Sequence, residues 1–222
     1  IRIGSPIPVE EQDKFEDVYQ FGRFLRAKTM SMETNIEVRR FFNYHLKPHP
    51  KPQPVIAPVP QEKILKEIER IQEDRILFNL KNYTAFCAPA KEIPNILNEI
   101  GRLREITFRE VREGTNRSID LDEFDLYYHQ MFIWDEEEKR IVGAYRIGKG
   151  NDILKQYGKR GFYLHSLFRM SREFEPVLNE SLELGRSFVI KEYQRKPMPL
   201  FLLWKGILYF LLKNPEYRYL IG

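Results

Sequence analysis

Residues 182–190 read Leu-Glu-Leu-Gly-Arg-Ser-Phe-Val-Ile, which is the short, apolar and β-branched pattern of a core strand. Two charged residues, Glu183 and Arg186, interrupt this pattern, and a charge in a buried strand is costly unless it is paired. Residues three apart on a regular strand point to opposite faces, but Gly185 lies between them and glycine is a usual marker of a β-bulge. A bulge would place both charges on one face. The stretch therefore predicts either a structural salt bridge or a functional site.

The neighbouring sequence alternates between the patterns of strands and helices, which predicts an α/β or α+β fold. Apolar residues at helical spacing favour helices over residues 10–28, 61–74, 90–104 and 200–212. Short β-branched or aromatic runs favour strands over residues 83–88, 126–134, 140–147, 162–168, 182–190 and 217–221. The polar residues 110–124 indicate a loop, and residues 135–139 indicate the turn of a hairpin.

Composition limits the class and the partners of the chain. Its 222 residues fit one ordinary domain with extra elements or two small ones, and 42% apolar residues suffice for a core. The formal charge of +4 suits an acidic protein partner or an anionic membrane surface. No block of Lys and Arg residues with interleaved aromatic residues stands out, so nucleic acid is not indicated as a partner.

Several classes of site are disfavoured by the sequence. The lone Cys87 allows neither a disulfide framework within the chain nor a cysteine metal site, and it fits the reducing cytoplasm. The four histidines lack the spacing of metal ligands, and Ser187 lacks the Gly-x-Ser-x-Gly context of a nucleophile elbow. The apolar run Leu200–Leu212 is shorter than the about 20 residues of a transmembrane helix, so we expect a buried helix rather than a membrane-surface helix.

Three motifs precede the charged strand in a specific order: Leu-Arg-Glu-Ile-Thr-Phe-Arg (103–109), Asp-Leu-Asp-Glu-Phe-Asp (120–125) and Gly-Ala-Tyr-Arg (143–146). Closed by Glu-x-x-Arg at 183–186, this order resembles the acyl-homoserine-lactone synthases and the long-chain N-acyl amino acid synthases, which are GNAT acyltransferases. The chain resembles more closely the bacterial proteins labelled hemolysins, in which a GNAT-like domain follows a glycerolipid-type acyltransferase domain. The residues that carry this resemblance are 113–115, 132–135, 183–189 and 203–206, and it covers residues 80–222.

The resemblance implies a mixed, strongly twisted sheet flanked by helices, with further strands after residue 222. It divides the chain into a C-terminal remnant of a glycerolipid acyltransferase-like domain (1–46), a linker with six prolines (47–60) and a GNAT-like domain (61–222). We therefore expect the chain to be truncated at both ends. The remnant lacks a His-x-x-x-x-Asp motif, so we expect no catalysis from it.

The candidate base is assigned by similarity to these families. The family's catalytic glutamate matches Glu183, which we expect to receive the proton of an attacking amine. Arg186 is then expected to hold Glu183 or an acidic partner in place. A purely structural ion pair between the two residues is the alternative.

The acidic motif is assigned in the same way. Asp122 and Asp125 match two acidic family positions, whereas Asp120 is less favoured. The two aspartates would pair with Arg104 or Arg146 and order the loop over the substrate, or they would bind the amino group. Surface carboxylates without a function are the alternative. Arg104 also has a structural alternative, because a cation at a helix C-terminus favours the helix dipole.

The acyl group and its carrier are indicated by similarity and by a missing motif. Phe108 and Phe162 match aromatic positions that could line an acyl pocket, although core packing is the commoner role of phenylalanine. The Gln/Arg-x-x-Gly-x-Gly/Ala loop, which holds the phosphates of coenzyme A in ordinary GNAT enzymes, is missing from the sequence. The resemblance therefore implies acyl carrier protein as the donor, with acyl-coenzyme A less favoured.

The sequence thus predicts an N-acyltransferase that moves a fatty acyl group from acyl carrier protein to an amino acid amine, giving a glycine or ornithine type of lipid. We expect no metal and no tightly bound cofactor, and a cytoplasmic location with peripheral contact to the inner face of the membrane. Two alternatives remain. One is a non-catalytic domain that docks acyl carrier protein or membrane. The other is a hemolysin or cytolysin, for which no feature of the sequence supports pore formation.

Overall fold

The computed structural model describes residues 4, 6–15, 17–31, 37–38, 51–71 and 73–222. Their helices are α1 (Val9–Gln12), α2 (Val18–Ser31), α3 (Gln61–Arg70), α4 (Pro94–Glu110), α5 (Gly150–Tyr157), α6 (Tyr163–Leu167), α7 (Glu175–Asn179), α8 (Lys191–Gln194) and α9 (Pro197–Lys213). Their strands are β1 (Glu37–Val38), β2 (Ile76–Leu80), β3 (Tyr83–Pro89), β4 (His129–Asp135), β5 (Arg140–Lys149), β6 (Phe168–Arg169), β7 (Ser181–Val189) and β8 (Tyr219–Ile221).

A curled six-stranded sheet forms the centre of the fold, in the order β2-β3-β4-β5-β7-β8. Neighbouring strands are antiparallel from β2 to β7, and β8 pairs with β7 in parallel. The short strands β1 and β6 pair separately. The prediction of a mixed sheet flanked by helices is therefore confirmed.

Two long helices pack against the sheet with apolar faces. Helix α4 starts with Pro94, which the first turn tolerates because its amide has no partner there, and it buries Ile96, Ile100 and Leu103 at helical spacing. Helix α9 also begins with a proline and buries Leu202, Leu203, Gly206, Ile207 and Phe210. At Gly206 a Cβ would lie 2.6 Å from the sulfur of Met131, so the glycine lets α9 approach β4 closely.

Helix α9 is only half buried, which corrects the expectation of a buried helix at residues 200–212. Its outer face exposes large apolar side chains, namely Leu200, Phe201, Trp204, Leu208 and Leu212. Within the described residues, none of the helices is long and apolar enough to cross a membrane.

Most of the predicted strands are confirmed, including the hairpin β4–β5 and the strands β3, β7 and β8. The strand predicted over 162–168 is wrong, because residues 163–167 form α6, whose first N–H groups bind a carboxylate from a distant strand. Strand β2 and helix α5 were not predicted. The helix predicted over 61–74 ends at Arg70, since the chain enters β2 at Ile76.

The predictions for the N-terminal part are tested only in places. The helix expected over 10–28 is two helices, α1 and α2, and the weak helix formers Asp13 and Asp17 flank the break. Residues 39–50, with two of the four histidines, lie outside the described residues. The boundaries proposed for the three regions stay predictions.

The proline-rich segment 51–60 contains neither helix nor strand, and it is fixed to the domain. The amides of Gln53 and Ile56 donate to the carbonyl oxygens of Asn116 and Ser118 at 2.9 and 3.0 Å. The guanidinium of Arg109 on α4 donates to the Gln53 carbonyl at 2.8 Å. These contacts place the segment along the loop that follows α4.

We expect Gly143→Ala to destabilise the fold by about 1–3 kcal/mol, because overpacking at a site with no free space forces the backbone to shift. A Cβ at Gly143 of β5 would lie 2.5 Å from the carbonyl oxygen of Phe188 on β7. Urea unfolding followed by circular dichroism measures the loss. Gly22→Ala, at an exposed position of helix α2, is the control, since a Cβ there meets nothing within 4 Å. Equal stability of the two variants would contradict the prediction.

Candidate functional site

One face of the sheet carries a row of residues from three adjacent strands. Gln130 of β4 lies opposite Arg146 of β5, and Arg146 lies opposite Gly185 of β7. Glu183 shares this face with Gly185, because alternate residues of a strand point the same way. Polar side chains from α4 and from the loop before β4 reach the same face. The site is therefore built where helix, loop and sheet meet.

Strand β7 contains a bulge at Arg186. Residues 144 and 146 of β5 pair with residues 188 and 185 of β7, so β7 has one residue more over this interval. Arg186 has a φ of 53°, in the left-handed region that residues other than glycine seldom adopt. The bulge prediction is confirmed, but the strained backbone belongs to Arg186 rather than to Gly185. The extra residue turns Arg186 towards α4.

The centre of the site is the ion pair between Arg104 of α4 and Asp125, both of which are fully buried. The guanidinium donates to the two carboxylate oxygens at 2.8 and 3.2 Å, which is the bidentate geometry of a strong pair. Gln130 donates to the same carboxylate at 3.1 Å. The expectation that Arg104 ends a helix is wrong, because α4 continues to Glu110. Its charge is matched by acids and not by the helix dipole.

Asp122 connects the short 3-10 helix Glu123–Leu126 to the sheet. Its Oδ1 accepts the amides of Phe124 and Asp125 at 3.0 and 3.3 Å, and Asp125 in return accepts the amide of Asp122 at 2.9 Å. The same Oδ1 accepts Nη1 of Arg146 at 2.6 Å, and Nη1 lies 3.3 Å from Asp125. The two predicted aspartates thus pair with the two predicted arginines and order the loop.

Asp120 joins Arg186 to this network, although the sequence analysis favoured it less than its neighbours. Its carboxylate lies 3.2 Å from Nη2 of Arg186 and 3.3 Å from Nε of Arg104. The Arg186 guanidinium also lies 5.7 Å from the ring centroid of Phe108, within the range of a cation–π contact. No sequence signal separates Asp120 from the surface carboxylates common in such loops.

Glu183 has a separate set of hydrogen-bond donors. The hydroxyl of Tyr128 and the amide of Tyr163 donate to its Oε2, the latter at 3.0 Å, and the amide of Leu164 donates to its Oε1 at 2.6 Å. The two amides begin α6, so Glu183 holds the N-terminus of that helix. Among the described residues, no ion pair joins Glu183 to Arg186, so the alternative of a structural salt bridge between them is wrong, and the acidic partner of Arg186 is Asp120. Each charge has its own partners.

Tyr128 was not predicted as a site residue, and it connects Glu183 to the arginines. Its ring lies 5.3 Å from Cζ of Arg146, whose guanidinium also lies 5.3 Å from the ring of Tyr163 and 5.5 Å from that of Phe124. Gln130 was missed as well, although a polar residue inside the apolar run of β4 could have been recognised. Nothing in the sequence distinguishes Tyr128 from other tyrosines.

The electrostatic environment separates the acids of the site. Burial raises the pKa of Asp120 and outweighs the nearby charges of Arg104 and Arg186. Burial also opposes ionisation of Asp125, but Arg104 and Arg146 together hold the pKa of that carboxyl below its ordinary value. Burial raises the pKa of Glu183, although the hydrogen bond from Tyr128 and two backbone amides oppose the shift.

Several N–H groups of the site lack a partner. Among the described residues, no hydrogen-bond acceptor contacts the buried Nε and Nη2 of Arg146 or the buried Nε of Arg186. Arg146 is 1% exposed, so its guanidinium is shielded from bulk solvent. Gly185, between them on β7, has no heavy atom within 4 Å of the position of a Cβ. The site therefore has buried donors without an acceptor, and it has room at Gly185, the residue that lies opposite Arg146.

The two predicted aromatic residues have different environments. Phe108 is half-buried beneath Arg186 and packs against the main core. Phe162 is fully buried in a second core cluster with Phe124, Tyr128, Ile153, Met170 and Leu178. Its position is that of a core residue, and its place in an acyl pocket stays a prediction. In the part of the chain that the structure describes, no group of three or more His, Cys, Asp or Glu side chains could hold a metal ion.

Comparison with protein families matches residues 103–204 to the acetyltransferase (GNAT) domain. This range contains the C-terminal part of α4 from Leu103, the acidic loop, the hairpin, the bulged strand and the first part of α9. It therefore includes every residue of the charged network described above.

Two curated relatives are about one-third identical to the chain over the residues that align. The glycine N(alpha)-acyltransferase of Phocaeicola vulgatus is 32% identical over 76% of this chain and 55% of the relative. The glycine N(alpha)-acyltransferase of Bacteroides thetaiotaomicron is 34% identical over 76% of this chain and 53% of the relative. The chain thus spans about half the length of these relatives. No solved structure matches it significantly.

We expect Asp125→Asn to destabilise the chain by about 3–5 kcal/mol at neutral pH, because it removes the bidentate carboxylate of the buried Arg104 and leaves that guanidinium only the longer ionic contact with Asp120. The folded-state pKa of Asp125 lies below its ordinary value of 3.8, so its contribution is present above pH 3.8 and is lost as the pH falls through the folded pKa. The stability gap between wild type and variant should therefore narrow at low pH. Urea unfolding across the pH range measures it.

The matched control is Asp74→Asn. Asp74 pairs with Arg75 at 2.9 Å, but its side chain is 61% exposed. Exposed ion pairs contribute about 0–1 kcal/mol, so this variant should stay close to wild type. A similar loss of unfolding free energy in both variants would show that the buried carboxylate stabilises the fold no more than an exposed one.

Proposed function

Because this chain contains a GNAT-like N-acyltransferase domain, we propose that it transfers a fatty acyl group from a carrier thioester to the amine of glycine. The choice of acceptor is supported by the names of the two relatives, which are glycine N(alpha)-acyltransferases. The observation that carries the proposal is a buried carboxylate, Glu183, beside arginines with free N–H groups at a strand bulge. All of these residues lie within the matched range 103–204.

The proposed reaction forms an amide and releases a thiol. The neutral amine attacks the thioester carbonyl carbon, the new C–N bond forms, and the C–S bond breaks from the tetrahedral intermediate. The amine loses one proton, which Glu183 receives directly or through a water, and the leaving sulfur takes up one proton. N–H donors near the carbonyl would stabilise the oxyanion.

Glu183 suits the role of base because burial and hydrogen bonds shift its pKa in opposite directions, and burial has the larger effect. Burial raises its pKa, which makes the carboxylate a better proton acceptor than an exposed glutamate. Three donors already bind its two oxygens. Tyr128 and the first amides of α6 therefore fix the orientation of the carboxylate and of the lone pairs that can still accept a proton. Tyr128 is therefore a positioning residue in this proposal.

Acyl carrier protein is the donor that the surface around α9 favours. A helix N-terminus binds phosphate through its free N–H groups, but Pro197 and Pro199 remove two of these donors at the start of α9. Exposed cations, Arg195 and Lys196, lie immediately before this helix. Such a surface suits an acidic protein better than the pyrophosphate of coenzyme A.

The product in this proposal is an N-acylated glycine used in aminolipid synthesis. A cytoplasmic location, with peripheral contact to the inner face of the membrane, is part of the same proposal. The apolar outer face of α9 is the feature that supports such contact.

We expect Glu183→Gln to lower acyl transfer by roughly 10²–10⁴-fold, because the amide cannot accept the proton. In wild type, the rate should rise with pH through an apparent pKa above the ordinary value of 4.5, since burial raises the pKa of Glu183 and only the ionised form acts as base. Deprotonation of the glycine amine also raises the rate with pH in both proteins, so only the additional rise through the pKa of Glu183 should be missing in Glu183→Gln, and the ratio of the wild-type rate to the variant rate should show it. Initial rates of N-acylglycine formation between pH 4 and 9, measured by mass spectrometry, provide the test.

Tyr128→Phe is the companion variant. The hydrogen bond from Tyr128 lowers the pKa of Glu183, so its removal should move the acidic limb of the pH profile to higher pH. Activity should persist above that limb. An unchanged limb in Tyr128→Phe, or a near-wild-type profile in Glu183→Gln, would assign the base to another group.

The donor proposal predicts that reversing the basic charges with Arg195→Glu and Lys196→Glu together raises KM for acyl carrier protein by about tenfold at low salt. Wild-type KM for this donor should rise as salt shortens the screening length to about 8 Å. The control is the double variant Lys63→Glu and Lys66→Glu on the exposed side of α3. A preference for acyl-coenzyme A, with no salt effect on the carrier protein, would contradict the donor proposal.

A further inference from the structure

We propose that Gly185 keeps open a compartment for the carboxylate group of the acceptor amino acid, and that Arg146 and Arg186 bind this carboxylate. The inference rests on the proposed acyl transfer to glycine, because it states how the acceptor is recognised. It concerns the two arginines in a role beyond their contacts with the aspartates.

The free space at Gly185 is not explained by the needs of the fold. A Cβ at Gly143 or at Gly148 of the neighbouring strand would lie 2.5 or 2.4 Å from another atom, so packing requires glycine there. At Gly185 a Cβ would meet nothing within 4 Å. Its φ is also outside the left-handed region that favours glycine. A side chain at residue 185 is thus permitted by the backbone and would only occupy space above the sheet.

The donors beside this space have the geometry for a carboxylate. Nη1 of Arg146 is already bound to Asp122, whereas Nε and Nη2 form the side edge of the guanidinium and have no partner among the described residues. Two parallel N–H groups on one edge match the two oxygens of a carboxylate. A buried donor without an acceptor destabilises the protein. A ligand that supplies two oxygens to these donors removes this penalty, which adds to its binding free energy.

The surroundings favour the polar acceptor over the acyl chain. Arg146 lies directly across from Gly185, Arg186 follows it in β7, and Glu183 lies two residues before it on the same face. An acyl chain needs an apolar lining, whereas an amino acid presents a carboxylate and an amine on one carbon. With the carboxylate on the arginines, the amine is directed to the side of Glu183. This arrangement matches the proton transfer assigned to that residue.

The test measures ligand binding before catalysis. Binding of glycine and of glycinamide to the 222-residue chain is followed by ligand-observed NMR in the absence of donor. We expect glycine to bind at least tenfold more tightly than glycinamide, which lacks the carboxylate. Gly185→Val and Arg186→Gln should abolish this preference. Gly22→Val, at an exposed helical glycine that also has free space, should keep it.

Thermal unfolding of each variant and the acyl-transfer assay complete the design. Gly185→Val should melt close to wild type and should raise KM for glycine without raising KM for the acyl donor. Equal binding of glycine and glycinamide, no binding of glycine, or a Gly185→Val defect confined to the donor would each overturn the inference. Selective glycine binding without acyl transfer would support the inference while contradicting the proposed function.

Discussion

The bidentate contact between Arg104 and Asp125 is the constraint on which the rest of the site depends. A fully buried guanidinium is tolerated only with acids around it, so the helix that carries Arg104 fixes the position of the loop that carries the acids. The same carboxylate accepts Gln130 from the sheet and lies 3.3 Å from Arg146. Helix, loop and two strands are thereby joined by charge, in addition to the apolar packing of Phe124 in the second core cluster.

Around this contact, burial and charge compensation act in different ways on neighbouring acids. Asp125 lies between two arginines and is held ionised, whereas Asp120 and Glu183 are shifted towards the protonated form by burial. Separate pKa values for nearby carboxyls are a common feature of sites that move protons. The structural acid and the proposed base are thus distinguished by their surroundings and not by their residue type.

Local patterns in the sequence were sufficient to predict the hairpin, helix α9 and the bulged strand, because each of these elements has a clear periodicity of apolar residues. They failed for residues 163–167, where an aromatic run resembles a strand but Glu183, far along the chain, accepts the first two amides of a helix. They also failed to place Asp120 and Tyr128, whose roles arise only when loop and sheet meet. Glu183 and Arg186 were recognised as charges inside a strand pattern, whereas the roles of Asp122, Asp125, Arg104 and Arg146 were assigned through a resemblance to families, since spacing alone left their partners open.

The left-handed backbone at Arg186 has a consequence for how this protein would respond to selection. An arginine in that conformation costs about 1 kcal/mol relative to glycine, and asparagine would also adopt it more readily. A library screened only for heat resistance should therefore enrich glycine or asparagine at residue 186 together with an uncharged residue at 120, since the arginine compensates the buried carboxylate of Asp120. Under the proposed function, a library screened for turnover should retain the arginine, so the two screens would select different residues at this position.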